Sequence, residues 1–346
     1  MNNIYYIANV RMPTERAHGI QIMKMCEAFV RSGAKLELVV PNRKSAITDD
    51  PFNYYGVCRL FKIKRLGCLD TVRLGRWGFR IETLSFALRS IGFFLFRRGV
   101  FYTRDESLAF FLKILGKRVV WEVHMGQRNI LARIIIKLGV PLVVISHSLK
   151  DVYLKLGVPP ERILVARDGV DLKVFDIDVS LKEAREKLDL PLYHELVVYT
   201  GSRQSWKGVE ILEKASSIWK SAAKLLVISG KPHTQIQLYL KAADVLVLPN
   251  TAKEDISLLY TSPMKLFEYM AANRPIVASD LPSLREILDE STACFFEPDN
   301  PESLARAIEN VLAHKEEADK KAQRAFSKVK EYTWEKRAEK IIRFIG

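Results

Sequence analysis

The sequence predicts an α/β protein of two domains built on parallel sheets, and three observations carry that expectation. Short apolar runs alternate with amphipathic helical stretches along most of the chain, the order that gives parallel strands joined by helical crossovers. A length of 346 residues exceeds what one hydrophobic core ordinarily organises. A polar stretch around residues 168–182 interrupts the alternation near mid-chain, and a second series of strands starts beyond it.

In the first series, strands are expected at residues 4–8, 36–41, 59–63, 100–103, 119–123, 142–146 and 163–165. Amphipathic helices such as 20–30 and 108–115 fill most of the gaps. The second series is expected at 196–200, 225–229, 245–248, 276–279 and 294–296. A final helix over 333–345 closes the chain, so the domains are expected at 1–172 and 173–332, with 333–346 as a helical tail. There is no internal repeat and no low-complexity tract.

Composition excludes several classes. A hydrophobic fraction of 48% is that of a globular protein. The four cysteines, Cys26, Cys58, Cys68 and Cys294, have no paired spacing, so no zinc or redox motif is expected and a reduced, cytoplasmic location is the simple inference. The start, Met1 to Ala8, lacks a basic region and a long apolar core, and reads as a first strand. No stretch reaches the length of about 18 uncharged apolar residues that a spanning helix needs. The net charge of +14 raises nucleic-acid binding as a reading, but no nucleic-acid motif accompanies it.

The most informative segment runs from Ser262 to Asp280. Pro263 suits a helix start, where the first N–H groups have no internal partner. Leu266, Phe267, Met270 and Ala271 recur at helical spacing, and Asn273 tolerates the left-handed conformation that ends a helix. Tyr260, Thr261 and Ser262 therefore stand at a helix N-terminus, where free N–H groups and the dipole favour an anion. Lys265 and Glu268 share a face one turn inside. A cation near a phosphate and a carboxylate near a pair of sugar hydroxyls suit a nucleotide sugar; a solvated Lys and Glu on a helix surface would read the same way.

The segment resembles the signature of retaining glycosyltransferases of family 4, which have the GT-B fold: two Rossmann-like α/β domains facing a central cleft, with a C-terminal helix crossing back to the first. The resemblance implies two glutamates eight positions apart; Glu268 matches the one that holds the donor ribose, while the position of the sugar-contacting one is Tyr260. It places Tyr260, Thr261, Ser262, Met264, Lys265 and Glu268 in the donor site. Tyr199 to Gly208 resembles the family's phosphate-binding loop: Lys207 falls on the usual lysine, Ser202 on the usual arginine, and Arg203 comes one residue later. The resemblance gives Lys207 a catalytic role, stabilising the departing diphosphate.

Pro13 to Gln21 resembles the family's first loop, with Gly19 letting backbone approach donor phosphates or acceptor, and His18 and Arg11 facing the acceptor. Trp121-Glu122-Val123-His124 ends a strand at the sheet edge where α/β proteins take ligands, and His124 matches the catalytic histidine beside the transferred sugar. Members commonly place another strand and helix, bordering the nucleotide base, where only Gly230 to Ala243 separates Ser229 from the next strand here. The second sheet is therefore expected to lack one such unit. The final helix resembles the tail that crosses back in GT-B proteins.

The sole Asp-x-Asp, Asp176-Ile177-Asp178, reads as solvated linker, and Lys207 with Lys265 can take a metal's place. No metal and no cofactor are expected; the nucleotide diphosphate sugar, UDP- or GDP-linked, is a substrate. Between Arg59 and Arg104 stand eleven Lys or Arg against Asp70 and Glu82, so 11 − 2 = +9 of the charge lies in residues 59–104. Leu84 to Leu88 and Ile91 to Phe96 interleave apolar and aromatic residues there. The segment reads either as a peripheral contact with an anionic, cytoplasmic membrane face or as a core helix with a charged rim.

The implied activity is metal-independent, retaining transfer of a sugar from a nucleotide diphosphate donor to a glycan or lipid-linked acceptor, in synthesis of cell-surface polysaccharide or glycolipid. The alternative is a degenerate GT-B subunit that binds nucleotide or glycan and supports a partner transferase; no nucleic-acid partner is expected.

Overall fold

The computed structural model describes residues 3–126 and 129–346. The chain forms two compact units. The first comprises residues 1–166 with the returning segment 334–346, and the second residues 167–333. The division thus falls before Arg167, earlier than the 172/173 boundary expected from polarity. The reason is local bonding. Arg167 Nη2 donates to Glu286 Oε2 at 2.8 Å, Asp168 N to Ser262 Oγ at 3.2 Å, and Val170 N to the Tyr332 carbonyl at 2.9 Å. All these partners belong to the second unit.

The first unit carries a seven-stranded parallel sheet ordered β3-β2-β1-β4-β5-β6-β7. Its strands are β1 (Asn3–Ile7), β2 (Lys35–Pro41), β3 (Lys62–Leu66), β4 (Val100–Thr103), β5 (Arg118–Val123), β6 (Leu142–Val144) and β7 (Ile163–Val165). Six lie within two residues of expectation at either end. The third is displaced: residues 59–61 precede the strand, because pairing with β2 runs from Glu37 opposite Lys62 to Pro41 opposite Leu66. Central strands are continuous apolar runs, as burial on both faces of a parallel sheet requires. The C-terminal helix, Trp334–Ile345, packs on the helix Ala17–Arg31 of this unit.

The second unit carries a five-stranded parallel sheet ordered β12-β11-β10-β8-β9. Its strands are β8 (Leu196–Thr200), β9 (Lys224–Ile228), β10 (Val245–Leu248), β11 (Ile276–Ser279) and β12 (Cys294–Phe296). A single helix, His233–Lys241, joins β9 to β10, so no further strand stands between them. The helix Met264–Ala271 precedes β11 and buries Leu266, Phe267, Met270 and Ala271 against this sheet. Pro263 is its N-cap residue, and Asn273 has the left-handed φ of 54° that ends it.

Candidate functional site

In the second unit, three segments converge at the C-terminal end of β8. Tyr199, fully buried on β8, donates its hydroxyl to the Ser202 carbonyl at 2.9 Å. Tyr269, from the helix, accepts at its hydroxyl from Thr200 N at 2.8 Å. These two bonds fix the turn after the strand. Gly201 occupies it with φ of 133°, and a Cβ there would stand 3.0 Å from Lys265 Nζ. Gly208 is equally constrained, since a Cβ would meet the Pro249 carbonyl oxygen at 1.7 Å.

Into this turn the helix projects Lys265. Its Nζ lies 3.8 Å from the centre of the Tyr199 ring, shielded from solvent, and has no hydrogen-bond partner among the described residues. Burial first, then Lys207, pushes the Lys265 ammonium well below the ordinary lysine value, with Glu268 acting in the opposite direction. Lys207 donates to Ser202 Oγ at 2.8 Å, lies over the Trp206 ring, and is also lowered by burial. The arrangement is two partly desolvated cations beside a helix N-terminus, and it favours an anionic ligand.

Glu268, one turn along, is buried, and its Oε1 lies 2.7 Å from His233 Nε2. The His233 ring in turn meets the buried Phe175 ring edge-on at 5.4 Å. Sequence reasoning missed His233. The signal was present, because Pro232 and His233 follow a strand of the same parallel sheet, the position that singled out His124.

The structure brings Ser202, Lys207, Lys265 and Gly201 together, with Glu268 on the same helix. Thr261 and Ser262 are buried before that helix, Ser262 holding Asp168, while Tyr260 ends a short π-helical turn, Ile256–Tyr260, and Met264 is half-buried. Arg203 is not drawn in: its guanidinium reaches Glu213 Oε1 at 2.5 Å on the exposed surface.

In the first unit, His124 follows β5 and places Nε2 2.7 Å from Glu122 Oε1. Glu122 is buried and also accepts from Arg337 Nη2 at 2.8 Å, Tyr6 Oη at 3.2 Å and Gln21 Nε2 at 3.3 Å. Burial alone would raise its carboxyl, but Arg337, His124 and Arg104 hold it well below the ordinary value. His18 is half-buried and pushed down to about 4 by burial, then by Arg104 and Arg16, so its imidazole is neutral at pH 7. Arg11 pairs with Glu15 at 3.1 Å. Gly19 also has a packing requirement: a Cβ there would stand 2.2 Å from the Tyr55 hydroxyl, which bonds both N and O of Thr14.

The basic segment contains one long helix, Gly75–Phe94. Of the aromatic residues in residues 84–96, Phe86 and Phe94 are core, and Phe93 is covered by the Arg97 guanidinium at 4.0 Å, itself paired with Glu37. Phe96 is 91% exposed. Leu74, Trp77, Ile81, Leu84 and Leu88 form a different exposed row at helical spacing, Trp77 being 72% exposed, with exposed Arg73, Arg76 and Arg80 among them. Among the described residues, no helix is long and apolar enough to cross a membrane.

Comparison with known proteins adds to this geometry. Residues 194–314 match the family model described as glycosyl transferases group 1. The chain is 26% identical over 182 residues to TuaC of Bacillus subtilis strain 168, a protein named as a glycosyltransferase of teichuronic acid biosynthesis; the match covers 47% of this chain and 44% of TuaC. It is 23% identical over 187 residues to the O-antigen chain mannosyltransferase RfbU of Salmonella typhimurium strain LT2, covering 48% and 49%. The matched region spans about half the length of these curated relatives. The Anabaena protein HepE, solved in complex with UDP-glucose, superposes with a TM-score of 0.76 at 12% identity, covering 99% of each chain. The likeness to the family model is confined to residues 194–314, and the fold of the chain is GT-B, with two Rossmann-like units.

Proposed function

We propose that the protein is a retaining, metal-independent glycosyltransferase that moves a sugar from a nucleotide diphosphate donor to a glycan or lipid-linked acceptor. Lys265 carries the reading. A shielded ammonium without a hydrogen-bond partner, beside a second lowered lysine and a helix N-terminus, is unfavourable alone and is relieved by a diphosphate. Glu268 then accepts from the ribose hydroxyls, with His233 orienting the carboxylate. Lys207 and Lys265 stabilise the leaving diphosphate, and His124 serves the transferred sugar. Arg203 would have to leave Glu213 to join them. His18 and Arg11 are assigned to the acceptor.

The relatives' names support an acceptor in cell-surface polysaccharide synthesis, and the UDP-glucose complex of HepE supports a uridine nucleotide donor, with GDP the other choice. The exposed row on Gly75–Phe94 and its arginines suit peripheral contact with an anionic membrane at the cytoplasmic face.

Proton NMR of slow sugar release from UDP-glucose and GDP-mannose, with chelator present, tests the reaction. The reading expects turnover insensitive to chelator and a first-formed sugar with the donor's anomeric configuration. Inverted product or loss of turnover with chelator rejects it. Nucleotide binding without turnover on any donor and acceptor pair favours the alternative, a binding subunit in which Tyr260 has replaced the sugar-contacting glutamate.

A further inference from the structure

The C-terminal helix reaches the surroundings of His124 through Arg337. Arg337 is buried, and its guanidinium bonds both a side chain and the backbone. Nη2 donates to Glu122 Oε1 at 2.8 Å, and Nε donates to the carbonyl of Ala166 at 3.1 Å. Ala166 is the last residue of the first unit before the chain leaves it, and Trp334, three residues before Arg337, is the first after the chain returns. The same Glu122 oxygen lies 2.7 Å from His124 Nε2. Arg337 therefore ties the outgoing and returning chain to the carboxylate that holds His124.

We propose that Arg337 is a positioning residue that fixes the tautomer and orientation of His124 through Glu122. An ionised carboxylate only accepts hydrogen bonds, so His124 must carry a proton on Nε2 to bond it. Burial alone would favour the neutral acid; Arg337 is the foremost of the groups that keep Glu122 ionised, ahead of His124 and Arg104. Without the guanidinium, Glu122 takes up a proton and can donate to Nε2, which then must accept, so the imidazole proton moves to Nδ1. Gln21 donates to the same Oε1 and Tyr6 to Oε2, so both carboxylate oxygens act as acceptors. The inference rests on the proposed role of His124 in sugar transfer.

The test uses the full chain and four variants. In the wild type, long-range ¹⁵N–¹H spectra should show His124 protonated on Nε2. Arg337→Met should move the proton to Nδ1 and lower kcat by roughly 10²-fold, the cost of a misplaced catalytic group, while UDP affinity stays unchanged. Arg337→Lys should keep the tautomer and most of the turnover. Glu122→Gln, which is nearly isosteric, reads the same relay if Arg337→Met does not fold, and should disturb tautomer and kcat together. An unaltered tautomer in Glu122→Gln or in folded Arg337→Met overturns the inference. If His124→Ala itself keeps full turnover, the role of His124 fails, and an altered tautomer in these variants would then show a relay with no catalytic consequence.

Discussion

His233 Nε2 stands 2.7 Å from Glu268 Oε1, and the histidine is held in place by the edge of the buried Phe175 ring. Glu268 is therefore oriented before any ligand arrives, which lowers the ordering cost of binding. His233→Ala leaves the carboxylate free to rotate and is expected to weaken UDP or GDP binding about three- to tenfold, around the net value of one hydrogen bond. His233→Gln keeps a donor at that position and should recover part of the loss. Isothermal titration of the three proteins checks it; equal affinities would contradict it.

Lys265 predicts opposite effects on stability and binding. Its ammonium is buried without a hydrogen-bond partner and its pKa is lowered, so folding disfavours the charged form. Between the lowered native pKa and the ordinary lysine value, the unfolded chain binds more protons, so this residue's contribution to stability improves as pH rises through that window. Lys265→Met should raise the stability of the ligand-free protein by about 1 kcal/mol, a gain typical of relieving a strained functional site. The same change should weaken diphosphate binding. Thermal denaturation with and without UDP measures both; a destabilised apo protein would contradict this reading of the lysine.

Anion binding should also favour the charged form of Lys265. Diphosphate binding is then accompanied by proton uptake wherever the free ammonium is partly deprotonated, and affinity should strengthen as pH falls through the lowered pKa. Calorimetry in buffers of different ionisation enthalpy detects the proton; its absence throughout the titration range of the free lysine contradicts the assignment.

Lys207, on the turn Ser205–Lys207, is expected to act on the rate more than on binding. Lys207→Ala should lower kcat on the order of 10²-fold, in the range of a single lost charge-stabilising donor, with a smaller change in UDP affinity. Steady-state kinetics with binding measured separately would show the split, and full activity would remove Lys207 from the reaction.

The fold was legible because its signals are local. Eleven of the twelve strands appear near the expected places, since apolar runs in parallel sheets are buried on both faces. β3 was misplaced because it is an edge strand with exposed Lys62, Lys64 and Arg65 and half-buried Ile63, whose register is set by β2 and not by its own pattern. The helix carrying Lys265 and Glu268 was readable from Pro263, its apolar spacing and Asn273. What could not be read were pairings across long separations: Glu122 with Arg337, Glu268 with His233, and Gly19 with Tyr55. Each depends on which surfaces the fold brings together. Which of Phe86, Phe93, Phe94 and Phe96 reach the surface was open for the same reason: helical spacing identifies a face, while only packing decides that Phe86 and Phe94 are covered and Phe96 is not.

The proposed membrane contact concerns Leu74, Trp77, Ile81, Leu84 and Leu88, with Arg73, Arg76 and Arg80. Each arginine near an anionic surface contributes up to about 1 kcal/mol. Trp77→Ser combined with Arg76→Glu and Arg80→Glu should abolish sedimentation with phosphatidylserine-containing liposomes at low salt, with no change in UDP affinity. Failure of the wild-type protein to sediment under those conditions would exclude this surface.

The central claim is that Lys265 and Glu268 hold a nucleoside diphosphate. Isothermal titration of UDP and GDP into the wild type, Lys265→Met and Glu268→Ala tests it most directly. The account predicts that one nucleotide binds the wild type and that each variant, still folded, loses at least about tenfold in affinity, or ~1.4 kcal/mol. Binding of neither nucleotide, or undiminished binding by both variants, would contradict it.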